Sequence, residues 1–317
     1  MEGEARVSGE PLTKILVGVD LSKASDPIVH FAECLALKYG SELILFYTVD
    51  EAIIDHPAAG FDPESLIEAY VRRAKEYLEK KVEELKAKGI AARYKINDRP
   101  SDPAHAIFEE AVEEQASEIL VGHKGRRLFK IIPIGSTALT LVNISSIPII
   151  LVKPSQISEE KVEVIVREGT LPRDVFERVV IAIDSNASPE MLHYFGKVLS
   201  KRTQPGKKEV YLVHVIEHEE SEVHAKKLVS KAEAVLKEYG LSVKAMILRG
   251  KPSKAIASLV EQLGATSLMV GRTRKKKRLI EYIVGTTLWR LIVYVDVPIL
   301  VYPLAADEGP SRKLVPS

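Results

Sequence analysis

The sequence repeats itself. The segment KILVGVDLSKAS at 14–25 returns as RVVIAIDSNASP at 178–189, each an apolar run closing on an aspartate, Asp20 or Asp184. ELILFYTVDE at 42–51 returns as EVYLVHVIEH at 209–218, and SEILVGHKG at 117–125 as TSLMVGRTR at 266–274. Finally GSTALTLVNISSIPIILVKP at 135–154 returns as GTTLWRLIVYVDVPILVYP at 285–303, with Pro148 and Pro298 each opening a last apolar run. Matched segments in one order mean that the 317 residues use a single supersecondary plan twice, rather than building one large core.

The repeated runs are near-continuous Val, Ile and Leu, as expected of strands buried on both faces. Between them apolar residues recur at three- and four-residue spacing, as in ESLIEAYVRRAKEYLEKKVEELKAK at 64–88, which predicts helices; Gly89 and Gly240 close a matching pair. Each repeat therefore reads β-α-β-α-β-α-β-α-β, and right-handed crossovers make it doubly wound. The expected fold is α/β: two repeated Rossmann-like domains, each a five-stranded parallel sheet with helices on both faces. The expected boundaries are a first domain at 12–154, a connection at 155–175 in which KVEVIV could add a short strand, a second domain at 176–304 and a tail at 305–317. The copies differ most between Asp50 and Gly89, where the first holds about sixteen more residues, including EAIIDHPAAGFDP, read as a surface loop or lid.

Open parallel sheets bind ligands beyond the carboxyl ends of their strands, where the winding direction reverses. Here those loops follow the first and fourth strands. Asp20 closes the first, and Gly122 closes the fourth and begins Gly122-x2-Gly125-x9-Gly135-Ser136. Gly122 and Gly125 allow a tight turn and close approach of backbone to a ligand, and Gly135-Ser136 opens a helix whose free amides favour phosphate. Four fixed positions of these types arise by chance in a chain this long on the order of 1% of the time, so their position at the crevice argues for a site.

This pattern resembles that of ATP-binding universal stress proteins. The preceding strand, the Asp20-Leu21-Ser22 segment and the final proline-led strand all fall in the family's order, and the resemblance spans both repeats. It implies an adenine nucleotide alpha hydrolase-like fold with ATP, accompanied by Mg2+, as ligand. It further implies that Asp20 and Thr48 lie near the adenosine and that Gly122, Gly125, Gly135 and Ser136 surround the ribose and phosphates, with Ser22 and His123 also among the nucleotide-binding residues. In the family the last strand pairs two single-domain chains antiparallel, which implies intramolecular pairing of the two domains through Ile149–Val152 and Ile299–Tyr302; a homodimer is a further expectation.

The second repeat departs from the pattern. Asp184, Gly271, Gly285 and Thr286 remain, but Arg274 replaces the second glycine and ten residues rather than nine separate it from Gly285. A Cβ and a long side chain at that turn add bulk where phosphate would approach. This copy reads as a degenerate site.

Other constellations favour bland readings. Arg272 and the run Arg274 to Arg278 could neutralise phosphates, but a solvated loop accounts for them and no aromatic stacking platform accompanies them. The net charge of +1 supplies no general attraction to nucleic acid or an anionic membrane. His214, Glu217, His218 and His224 do not define one helical face, so no metal site is expected. There is no Walker Lys-Ser/Thr pair, nucleophile elbow or placeable Ser-His-Asp set, so no catalytic residue is assigned, and His123 reads as a loop residue. The single cysteine, Cys34, lies on the first helix's apolar pattern as a packing residue. It excludes an intrachain disulfide and suits a reducing cytoplasm. The acid-bearing start does not read as a signal peptide, and no apolar run reaches the ~20 residues of a membrane span. The expected protein is a soluble, cytoplasmic, non-catalytic ATP-binding regulator acting in the stress response through a partner protein. The alternatives are a slow ATP hydrolase or phosphotransfer enzyme, with at most weak ATPase activity, and a pairing module that nucleotide only stabilises.

Overall fold

The computed structural model describes residues 10–22, 25–52, 62–122, 135–153, 175–201, 208–217, 221–272 and 286–303. The chain forms two compact units, Met1–Ser158 and Glu159–Ser317. The connection with KVEVIV, the loop at 53–61 and the tail lie outside the described residues.

In the first unit the elements run β1 (Lys14–Gly18), α1 (Ser25–Tyr39), β2 (Glu42–Asp50), α2 (Pro63–Ala87), β3 (Ala92–Ser101), α3 (Pro103–Glu113), β4 (Glu118–Gly122), α4 (Ser136–Ile144) and β5 (Ile149–Val152). The order in the sheet is β3-β2-β1-β4-β5, all parallel. The second unit repeats this with β6 (Arg178–Ile183), α5 (Pro189–Ser200), β7 (Glu209–Ile216), α6 (Glu222–Lys237), β8 (Val243–Arg249), α7 (Pro252–Leu263), β9 (Ser267–Arg272), α8 (Thr286–Tyr294) and β10 (Ile299–Pro303), in the order β8-β7-β6-β9-β10.

The apolar runs became the central strands because both of their faces are covered: Ile15, Leu16, Val17, Leu43, Ile44, Leu45, Ile119 and Leu120 are all fully buried. Each such side chain contributes about 1.5–3 kcal/mol. The chain moves one way from β1 to β3 and the other way from β4 to β5, so right-handed crossovers place α1 and α2 on one face and α3 and α4 on the other. Polar ties follow this division. Tyr77 of α2 donates to Asp26 of α1 at 3.0 Å, Lys88 bonds Glu33 at 2.7 Å, and α3 packs on α4.

Helix starts were written locally. Asp62 accepts from the Ser65 amide at 3.0 Å, and Asp102 accepts from that of His105 at 3.0 Å, each followed by a proline in the first turn. Gly18 serves a different need. A Cβ there would stand 3.0 Å from both Ile107 of α3 and Val121 of β4, so its absence lets α3 settle closely on β1.

Candidate functional site

In the first unit the winding reverses between β1 and β4, and the described candidates Asp20, Gly122, Gly135 and Ser136 lie just after β1, at the end of β4 and at the start of α4. β1 ends at Gly18, and Asp20 follows two residues later. Its Oδ1 accepts from the Ser22 amide at 3.0 Å and from the Ser25 hydroxyl at 3.0 Å. These bonds hold a tight turn in which Leu21 takes φ 57°, a left-handed conformation that costs a non-glycine residue roughly 1–2 kcal/mol. Arg73 of α2 also donates to the Leu21 carbonyl, at 3.4 Å. Asp20 itself is exposed, and its Oδ2 makes no hydrogen bond to another described residue. A carboxylate oxygen is thus presented at the crevice with acceptor capacity to spare.

On the other side Gly122 is the last residue of β4, paired with Val152. Ser136 is the first residue of α4, and Gly135 is its N-cap, with φ −66°, ψ 141° and no side chain to cap the helix. The first-turn amides of α4 therefore meet no capping side chain, and the helix dipole favours an anion there. His123 and Gly125 lie outside the described residues, as do Arg274 and Gly285.

Register adds a feature that motif reading did not find. Gly18 lies opposite Phe46, and the Val19 amide continues the pairing to the Phe46 carbonyl at 3.0 Å. Two residues on, Asp20 comes level with Thr48, which lies opposite Asn97 of β3. Residues at Gly18's level face α3, as its contact with Ile107 shows, and period-two alternation puts Thr48 on the same face. There the Asn97 amide donates to Thr48 Oγ1 at 3.2 Å and to Ser101 Oγ at 3.0 Å, and the two hydroxyls lie 3.0 Å apart. Thr48 was expected; Asn97 and Ser101 were not. The available signal was Asn97 itself, opening the polar run NDRPS where the second repeat carries Leu248 before RGKPS.

Behind this row, on the opposite face of β2, Tyr47 is buried, which pushes its hydroxyl up to about 12. Tyr70, Asp50 and Asp20 add to that and Arg73 opposes it. The group stays neutral at physiological pH.

The second unit builds the same frame with different chemistry. Asp184 follows β6, but both of its oxygens face Asn186: Oδ1 accepts from the Asn186 amide at 2.8 Å and Oδ2 from its side chain at 3.4 Å. The level carried by Thr48 and Asn97 in the first unit is held here by Val215 and Leu248, which are paired. Gly271 lies within β9, one residue before its end, and Thr286 opens α8, where it is exposed. Arg272, which was read with the basic run as part of a solvated loop, instead ends β9 and is buried, in register with Pro303.

His214 lies inside β7, buried and 3.0 Å from the Ile183 carbonyl through Nδ1. His218 lies outside the described residues, among which no group of three or more His, Cys, Asp or Glu side chains could hold a metal ion. No helix among them is long and apolar enough to cross a membrane. Cys34 is half-buried rather than fully enclosed, with His30 Nε2 at 3.6 Å. Burial, reinforced by Glu33, pushes its thiol up to about 11. At pH 8 the thiolate fraction should then be roughly a hundredfold below that of an ordinary cysteine. Alkylation of the native protein by iodoacetamide should be about tenfold slower than in denaturant, since the greater nucleophilicity of a more basic thiolate offsets part of its scarcity; equal rates would refute a shielded thiol.

Fold and crevice together define an open, doubly wound α/β protein in two copies. A model of the universal stress protein family matches residues 11–153 and 176–303, most of the chain, and the chain belongs to that family as a tandem of two of its domains. Among solved structures, a universal stress protein from Archaeoglobus fulgidus DSM 4304 is similar over 92% of this chain and 98% of that chain, at 22% identity and a TM-score of 0.68. A functionally unknown protein from Pseudomonas aeruginosa PAO1 is similar over 93% of each chain at 14% identity and a TM-score of 0.56. An Archaeoglobus fulgidus universal stress protein in complex with dAMP covers 44% of this chain and 96% of its own, at 24% identity and a TM-score of 0.32. For the first two, at these identities, the likeness is one of fold. No curated protein matches the chain.

Proposed function

We propose that the first unit binds ATP and that the chain acts as a nucleotide-responsive regulator in the stress response. What supports this reading is the placement of two complementary groups by the β1/β4 switch point, one in the turn after β1 and one at the start of the helix that follows β4. On one side Asp20 offers an acceptor oxygen suited to ribose or base donors. On the other, α4 begins at Gly135 without a side-chain cap, which suits phosphate. Gly122, and Gly125 in the segment between, would let the backbone approach the phosphates, and Mg2+ would arrive with the triphosphate, since that ion is commonly held by few protein ligands and by substrate phosphates. Binding shifts a conformational equilibrium only through unequal affinity for its two states, so a regulatory role requires the crevice to close differently with and without nucleotide.

The test begins with mass spectrometry of small molecules released from protein purified without added nucleotide, which reads identity and occupancy together. Calorimetry then compares the parent with Asp20→Ala. A hydrogen bond to a charged group is worth about 1.5–3 kcal/mol, so a direct contact predicts a roughly ten- to hundredfold loss of affinity. Unchanged affinity in a folded Asp20→Ala protein would remove Asp20 from the site. Rapid metal-dependent turnover of ATP would point to an enzyme instead.

A further inference from the structure

The hydroxyl–amide cluster at the ends of β2 and β3 is built to present a hydrogen bond, and its proton count shows where. The Asn97 amide nitrogen donates to both Thr48 and Ser101, and its Oδ1 accepts from the Arg99 amide at 3.1 Å, which fixes the amide's orientation. The two hydroxyls share one bond. Two hydroxyl protons and one mutual bond leave one proton with no acceptor inside the triangle, together with unused lone pairs.

The fold does not require this arrangement. In the second unit the same strand ends carry Val215 and Leu248, yet β7 and β8 pair through to Arg249 and α7 starts at Pro252 as α3 starts at Pro103. A polar cluster that the architecture can omit, placed level with Asp20, is suited to a ligand. Neighbouring strands lie about 4.8 Å apart, so the row from Asp20 through Thr48 to Asn97 spans about 10 Å. That is the scale of a nucleoside rather than of a phosphate alone, and it leads away from the phosphate-suited start of α4.

We infer that Thr48, Asn97 and Ser101 read the nucleoside end of the first unit's ligand by hydrogen bonds, while the phosphate-facing part of the site works independently of them. This rests on the nucleotide-binding reading above.

Calorimetry with ATP and with inorganic tripolyphosphate tests it on the full chain. The double variant Thr48→Val/Asn97→Leu installs the residue types that the second unit already uses at this level. It is expected to bind ATP about tenfold more weakly, the equivalent of one lost hydrogen bond, with tripolyphosphate affinity unchanged. Ser101→Ala, a smaller change to the triangle, should weaken ATP several-fold in the same selective way. If the parent binds no ATP, the underlying reading falls and the inference with it. If the parent binds and both variants bind ATP equally well, the inference alone is overturned. It is likewise overturned if both variants lose ATP and tripolyphosphate to the same extent.

Discussion

Glu118→Ala is expected to destabilise the first unit by about 3 kcal/mol or more, although Glu118 touches no part of the crevice. The residue opens β4 and is fully buried. Both carboxyl oxygens accept from the Leu12 amide, at 2.9 and 3.0 Å, and the neighbouring Ser117 hydroxyl stands 2.6 Å from Oε2. Ser117 Oγ in turn accepts from the amides of Thr13 and Lys14 at 3.1 and 3.0 Å. Three consecutive amides leading into β1 are thus gathered by the adjacent side chains of Ser117 and Glu118 at the entry to β4, and Leu12 is held at φ 54°. Alanine would withdraw both of these acceptors from the Leu12 amide, at about 1.5–3 kcal/mol for a hydrogen bond to a carboxylate, and leave a cavity whose cost adds to it. Glu118→Gln keeps one acceptor for Leu12 and should lose much less. The aligned position of the second unit supplies the contrast: Ser267 is buried and its Oγ makes no hydrogen bond among the described residues. There Ser267→Ala should be neutral or mildly stabilising, because a buried hydroxyl without a partner carries a desolvation cost. Denaturant unfolding followed by hydrogen exchange at Leu12 would check both. Equal stability of Glu118→Ala and its parent would show that the clamp does not hold β1.

The difference between Glu118 and Asp20 shows what could be read in advance. Strand positions and their order were legible because burial on both faces leaves an apolar run that few other structures tolerate, and repetition confirmed each run with a second copy. The start of the long helix was nearly so, since Asp62-Pro63 states a cap and a first turn in adjacent residues. Asp20, Gly122, Gly135 and Ser136 could be placed because the crevice follows from topology. Glu118 could not, because an acid at the edge of an apolar run reads as a solvated flank until the chain crossing above it is known. Asn97 and Ser101 were hidden for a related reason. Their meaning depends on lying level with Thr48 and Asp20 across three strands, and register is a tertiary quantity. The difference between the two aspartates was hidden as well. Asp20 and Asp184 align perfectly, yet Asn186 engages both oxygens of Asp184 while Ser22 and Ser25 engage only one oxygen of Asp20.

That difference leads to the largest functional effect expected of this chain: one tight ATP site per molecule, formed by the first unit, with binding in the second weaker by at least about a hundredfold. Three independent features point the same way. The carboxylate of Asp184 is engaged by Asn186, so a ligand must compete for it. The row that offers Thr48 and Asn97 in the first unit offers Val215 and Leu248 in the second, removing hydrogen bonds that would be worth about 0.5–1.5 kcal/mol each. The sequence adds the third, Arg274 in place of Gly125 and one extra residue before Gly285, which changes the turn that a phosphate would approach. Two such hydrogen bonds and a blocked turn together exceed the ~2.7 kcal/mol that a hundredfold requires. Positive charge does not replace shape, because a screened lysine attracts phosphate without supplying the directed amides of a helix start. Shape and charge can be separated: Gly125→Arg should remove most tight binding, whereas Lys275→Ala with Lys276→Ala should leave the tight site nearly unchanged. Calorimetry counts the sites directly. Two equally tight ATP molecules per chain, or a Gly125→Arg protein binding as the parent does, would show that the two crevices are equivalent and that neither Arg274 nor the apolar row at Val215 and Leu248 sets the difference.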